Sequence, residues 1–200
     1  MTDHYFAPDP DAGHSPRELR FRMDGRTYTF ASDSHVFSAD RLDPGTQVLL
    51  RDAPAPSGDV LLDLGCGYGP IACLLAERLP GATVWAVDVN ERALALTARN
   101  ADALGVGDRV RTVAPDDVPA AVTFDEIWSN PPIRIGKPAL HAMLSHWLAR
   151  LRPDGTAWLV VAKNLGSDSL SRWLVDQGYS CARHTSVRGY RLLKVRHGTR

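Results

Sequence analysis

From residue 59 onward the chain alternates continuous apolar runs with amphipathic ones, and this alternation limits the fold more than any other feature. "DVLLDLG" (59–65), "ATVWAVDVN" (82–90), "RVRTVA" (109–114), "FDEIWSN" (124–130) and "GTAWLVVAKN" (155–164) read as strands. "PIACLLAERL" (70–79), "ERALALTARNADALG" (91–105), "KPALHAMLSHWLARL" (137–151) and "SDSLSRWLVDQG" (167–178) read as helices, while a loop follows the third strand. Strands that are apolar throughout, with helices between them, predict an α/β protein whose parallel sheet is covered on both faces. Two further alternating segments, "YSCARHTSV" and "YRLLKVRH", are joined by a short link at Gly189 and so should run antiparallel.

What precedes residue 59 is organised differently. Residues 1–16, with three prolines, are expected to form a flexible N-terminal arm. Residues 17–31 predict a hairpin, because "LRFRM" and "RTYTF" alternate around a favoured Asp-Gly turn. "LDPGTQVLLRDA" predicts a short covering helix with Thr46 as its N-cap, and a Pro/Ser/Gly break at 54–58 closes this piece. The expected organisation is therefore an arm (1–16), a hairpin with a covering helix (17–58) and a core (59–200), together one domain.

Composition narrows the class. Lys and Arg total 23, equal to Asp and Glu, so the whole chain carries no bias toward nucleic acid or membrane. After Asp176, however, no carboxylate side chain follows, whereas Arg183, Arg188, Arg191, Lys194, Arg196 and Arg200 do; a basic end of this kind suits phosphate contacts or a solvated outer strand pair. Three cysteines without CxxC spacing read as reduced thiols of a cytoplasmic protein. There is no apolar run long enough for a membrane span, no metal-ligand spacing and no sign of oligomeric state.

In sheets of this kind ligands bind beyond the carboxyl ends of the strands. Polar and glycine residues of the core collect at those ends. "DLGCGYG" (63–69) leaves the first strand and opens a helix, with glycines that let the backbone turn and approach a ligand. Asp88 ends the next strand, 19 residues after Gly69, where a carboxylate can accept from both hydroxyls of a ribose. An adenosine-containing cofactor follows. The G-x-G-x-x-G dinucleotide register finds Pro70 or Ala72 at its third glycine position. Asp63 two residues before the first glycine, paired with Asp88, suits a cationic ligand better than a pyrophosphate.

These residues carry a resemblance. "LLDLGCGYG" and "VDVN" resemble the first motif and the ribose-binding strand end of class I S-adenosylmethionine-dependent methyltransferases, and "SNPP" resembles the N-P-P motif of members that methylate amino or amide nitrogens. With "VFSADRLDPGTQVLL" and "SNPPIRIGK", the chain from about residue 17 to about residue 177 is similar to the small-subunit rRNA guanine-N2 methyltransferase group, as a single-domain member. The resemblance implies a Rossmann-like seven-stranded sheet of order 3-2-1-4-5-7-6. It implies S-adenosyl-L-methionine as cofactor, with Asp63, Gly65, Cys66, Gly67 and Gly69 along its methionine portion, Asp88 and Asn90 at its ribose, and Asp116, or else Asp117, at its adenine. Gly69 can also serve helix packing alone, and Cys66 reads better as filler.

For the chemistry, Asn130 offers a side-chain carbonyl and Pro131 a backbone carbonyl, with Pro132 stiffening the backbone; together they would accept both N–H groups of an incoming amino nitrogen. Ile133 stands where many such enzymes carry an aromatic residue that stacks on the base, and Phe37 is the candidate for the opposite wall or, equally, a staple packing the hairpin onto the core. Arg134, Lys137 and Lys163 are candidates for phosphate or base-edge contacts, so RNA is the expected partner, ribosomal RNA or a ribosomal subunit above all. The alternatives are the same chemistry on DNA adenine N6, protein glutamine or a small molecule, a non-catalytic RNA-binding factor of this fold, and a nicotinamide oxidoreductase, which the glycine spacing disfavours.

Overall fold

The structure, a computed structural model, describes residues 16–33, 36, 38 and 41–198. A hairpin of β1 (Pro16–Met23) and β2 (Arg26–Asp33) comes first, then α1 (Pro44–Asp52). The core follows as β3 (Val60–Leu64), α2 (Pro70–Arg78), β4 (Thr83–Val87), α3 (Glu91–Ala103), β5 (Val110–Val113), β6 (Phe124–Ser129), α4 (Lys137–Leu148), β7 (Leu151–Ala162), α5 (Ser167–Asp176), β8 (Tyr179–Val187) and β9 (Tyr190–His197). The seven core strands lie in the order β5-β4-β3-β6-β7-β9-β8. Counted from β3 this is 3-2-1-4-5-7-6, with β9 antiparallel to both β7 and β8, as the resemblance implied.

Two apolar layers sandwich the sheet. On one face the hairpin, α1, α2 and α3 pack against Leu61, Val84, Trp128, Trp158 and Val160. On the other, α4 and α5 pack against Leu62, Trp85, Ile127, Leu159 and Val161. Successive residues of each strand alternate between these layers, which is why the strands read as unbroken apolar runs. The hairpin turns through Asp24 and Gly25, both at positive φ (51° and 78°), the geometry that suits a two-residue turn between twisted strands. It docks through Phe30, fully buried against Tyr68, and through Asn100 of α3. The Asn100 amide accepts from Ala31 N (2.7 Å) and donates to the carbonyls of Ala31 (2.9 Å) and Tyr68 (2.8 Å).

Three expectations need correction. Thr46 is not the N-cap of α1: Asp43 is, its Oδ1 accepting from Thr46 N at 3.0 Å. Pro44 has no N–H to satisfy and a φ already suited to a helix, so the helix begins at that residue. Pro16 belongs to β1 rather than to the arm, and residues 1–15 lie outside the described residues. The helix expected over 137–151 stops at Leu148, and Leu151 already pairs with Phe124. The Pro153–Asp154–Gly155 stretch forms a bulge in β7, where the register shifts between Phe124 and Glu126. A bulge accommodates a proline that cannot donate to the ladder.

Candidate active site

The carboxyl ends of β3, β4, β5, β6 and β7 open onto one edge, and the predicted residues gather there. Gly65 and Gly67 have positive φ (78° and 58°). A Cβ at either position would have no neighbour nearer than Pro132 Cδ (4.0 Å) or Val36 Cγ1 (3.9 Å), so both face open space. Gly69 differs: its φ is 91°, and a Cβ there would lie 2.8 Å from the Thr97 side chain and 3.1 Å from Thr97 Cα. Gly69 therefore lets α2 start hard against α3, the packing role weighed for it above.

Asp63 is completely buried at the end of β3. Its Oδ2 accepts from Ala72 N (2.9 Å), supplying the cap that Gly69 cannot give α2, while Oδ1 is buried without a partner. Burial, set against that one hydrogen bond and reinforced by the nearby Asp88 charge, pushes the Asp63 carboxyl up to about 8. Asp88 braces the loop, its Oδ2 accepting from Gly67 N (2.9 Å) and its Oδ1 from Asn90 N (3.0 Å). Burial raises its pKa also, and the backbone N–H groups oppose the rise. Asn90 is the N-cap of α3, its side-chain oxygen accepting from Arg92 N at 3.0 Å.

Cys66 turns inward. Its buried sulfur accepts from Thr97 Oγ1 (3.5 Å), and burial pushes the thiol well up, so its side chain supports the loop as filler. Asp116 and Asp117 sit side by side on an exposed 3-10 turn after β5, neither with a side-chain partner among the described residues. The donor set fits an adenosine cofactor with a cationic tail: an orphaned, buried carboxylate oxygen, two glycines open to a ligand, and a second carboxylate at the adjacent strand end.

Asn130 leaves β6 next to this loop. Its Nδ2 donates to Asp43 Oδ1 (2.7 Å) and to Thr46 Oγ1 (3.1 Å) at the start of α1, so the amide oxygen is not used by these partners. Pro131 is buried, and its carbonyl accepts from Ile133 N at 2.8 Å, closing a tight turn through Pro132 (φ −73°, ψ 76°). A carbonyl oxygen keeps a second lone pair after one such bond. Just before, the buried Ser129 hydroxyl donates to Leu64 O (2.7 Å), fastening the end of β6 to the end of β3.

Ile133 is half-buried and packs partly into the α4 layer, so only a portion of it is free to line a pocket. Arg134, Lys137 and Lys163 are all exposed. Arg134 lies on the turn after Pro132, Lys137 opens α4, and Lys163 follows β7. Phe37 lies outside the described residues. The basic C-terminal end is not one patch. Arg188 tops the β8–β9 turn, which reaches the same edge through Lys163 N donating to Gly189 O (2.8 Å). Arg191 is paired with Asp168, while Arg196 donates to Thr156 Oγ1 (2.9 Å) toward the far end of the sheet. Sequence reading missed Asp43 and Ser129. The Asp-Pro-Gly start of α1 was a visible cap signature for the former; nothing local marked the latter.

The methyltransferase small domain family profile matches residues 27–194. The chain is 34% identical over 200 residues to uncharacterized protein YbxB of Bacillus subtilis, covering 98% of this chain and 99% of that one. It is 40% identical over 135 residues to ribosomal RNA small subunit methyltransferase C of Hahella chejuensis, covering 65% of this chain but 39% of that protein. Among solved structures it is similar to the T. thermophilus 16S rRNA N2 G1207 methyltransferase in complex with AdoMet and guanosine, with a TM-score of 0.77 and 26% identity, across 91% of this chain and 50% of that one. The chain thus spans half or less of those two rRNA enzymes. With the seven-stranded sheet and the site at its carboxyl edge, these matches place the chain in the methyltransferase small domain family.

Proposed function

We propose that the chain is an S-adenosylmethionine-dependent methyltransferase acting on an exocyclic amino nitrogen, with guanine N2 of ribosomal RNA as the acceptor. One observation carries the reading: an Asn130 amide held by its nitrogen, with its oxygen left to accept, beside the Pro131 carbonyl and next to an open glycine loop. When bound, S-adenosylmethionine supplies an activated methyl group on a sulfonium. Asp63 would hold the ligand's cationic tail, and Asp88 its ribose hydroxyls. Asn130 Oδ1 and Pro131 O would accept the two N–H groups of the target, orient its nitrogen and favour the positive charge that develops there. The proton can then leave to solvent, so no buried base is needed.

Four exposed cations on the same edge, Arg134, Lys137, Lys163 and Arg188, have no ion pair among the described residues and suit a polyanion. An rRNA acceptor would keep the protein in the cytoplasm; no helix among the described residues is long and apolar enough to cross a membrane. The test is transfer of a labelled methyl group to naked rRNA and to isolated ribosomal subunits, followed by mapping of the modified nucleotide. Incorporation at a guanine N2 is the expected result. No incorporation into any RNA would turn the reading to DNA adenine, protein glutamine or a small molecule.

A further inference from the structure

We propose, resting on the Asn130 clamp just described, that Asp43 is a positioning residue of the active site and not only the cap of α1. It would fix which way the Asn130 amide faces and, through its carboxylate, polarise that amide toward the acceptor nitrogen. A side-chain amide has two nearly isosteric orientations, and only one of them presents oxygen to an incoming N–H. A carboxylate can only accept, so the 2.7 Å contact between Asp43 Oδ1 and Asn130 requires nitrogen on that side. The Thr46 hydroxyl at 3.1 Å, itself buried, receives the same NH2 group. The Asn130 oxygen is then directed away from α1.

The surroundings favour this arrangement. Asp43 Oδ1 accepts from both Thr46 N and Asn130 Nδ2, so the helix start and the clamp share one atom. Gly45 makes room for it: a Cβ there would lie 2.9 Å from Asp43 Oδ1 and 2.9 Å from Tyr190 Cε1. Burial, and after it the Asp43 charge, push the adjacent Tyr68 phenol upward, consistent with a carboxylate acting through a poorly solvated region. A negative charge hydrogen-bonded to an amide nitrogen shifts electron density to the amide oxygen, and a charge-assisted bond does so more strongly than a neutral one. The oxygen of Asn130 becomes a better acceptor where positive charge develops. The N-terminal piece of the chain, otherwise a cover for the sheet, thereby contributes to the chemistry.

The test compares Asp43→Ser, Asp43→Asn and Asn130→Ala in the full chain, using the acceptor found in the transfer assay. Serine still caps a helix but is too short to hold Asn130; asparagine keeps an oxygen in place without the charge. Asp43→Ser should lower kcat by about 10²-fold, with Tm and affinity for S-adenosylhomocysteine close to the parent's. Asp43→Asn should recover part of that loss. The side-chain NH2 resonances of Asn130 should move upfield in Asp43→Ser, a readout that needs no turnover. The proposal is overturned if Asp43→Ser turns over within about threefold of the parent while Asn130→Ala is inactive, or if Tm and cofactor affinity collapse together with kcat in both Asp43 variants. An active Asn130→Ala would instead overturn the clamp itself.

Discussion

Cofactor binding should be linked to the titration of Asp63. In the ligand-free protein this carboxyl is fully buried, has one backbone donor and is pushed up to about 8. The neutral form is therefore the favoured one in the folded state at neutral pH. The stability this group contributes is complete below the ordinary carboxylate range and is lost as pH rises toward about 8. On the role proposed for Asp63, a cationic ligand would reverse the preference, because the ammonium group of S-adenosylhomocysteine would stabilise the ionised carboxylate. Binding then requires loss of a proton. Below about 8, the dissociation constant should rise as pH falls, and binding at pH 7 should release a proton. Titration calorimetry of S-adenosylhomocysteine between pH 5.5 and 8, in two buffers of different ionisation enthalpy, measures both quantities. Asp63→Asn should bind more weakly and without the proton release. A flat affinity across this range, or an unchanged proton count in Asp63→Asn, would refute the reasoning.

The other expectations concern the scaffold around the site. Gly69→Ala combines a positive φ of 91° with contacts of 2.8 Å to Thr97, and should cost about 2–4 kcal/mol in urea denaturation. Gly67→Ala, with open space around it, should cost only about 1–2 kcal/mol yet weaken S-adenosylhomocysteine binding measurably. Ser129→Ala removes the buried tie to Leu64 O and should lose about 1–2 kcal/mol in the same unfolding assay. Asn100→Ala strips three hydrogen bonds from the hairpin junction and should cost about 2–4 kcal/mol in urea denaturation.

What could be read from the sequence was what local pattern dictates. The strands, their helices and the antiparallel last pair follow from apolar periodicity, and "YSCARHTSV" and "YRLLKVRH" match β8 and β9 residue for residue. The glycine loop and Asn130 were located because both lie at strand ends. The side-chain partnerships were not legible, since they join residues far apart in the chain. Asp43 meets Asn130 across 87 positions, and Asn100 meets Ala31 across 69. The cap that Asp63 gives to α2 was hidden for another reason: a strand residue does the work of a helix start, where Gly69 has no side chain to do it. The bulge at Pro153–Gly155 was hidden because proline and glycine signal a turn unless a neighbouring strand such as β6 pulls them into a ladder.

The bond from Ser129 to Leu64 has a thermodynamic reach beyond its own strength. It joins the last residue of β6 to the last residue of β3, immediately before Asn130 on one side and Gly65 on the other. A ligand held at the glycine loop would, through this bond, also restrain the strand end that carries the amide. If cofactor and acceptor bind as proposed, ordering either loop would lower the cost of ordering its neighbour, and by linkage that coupling would be equal in both directions. Weakening that hydroxyl contact would then reduce the coupling between the two strand ends to what the β3–β6 ladder alone transmits.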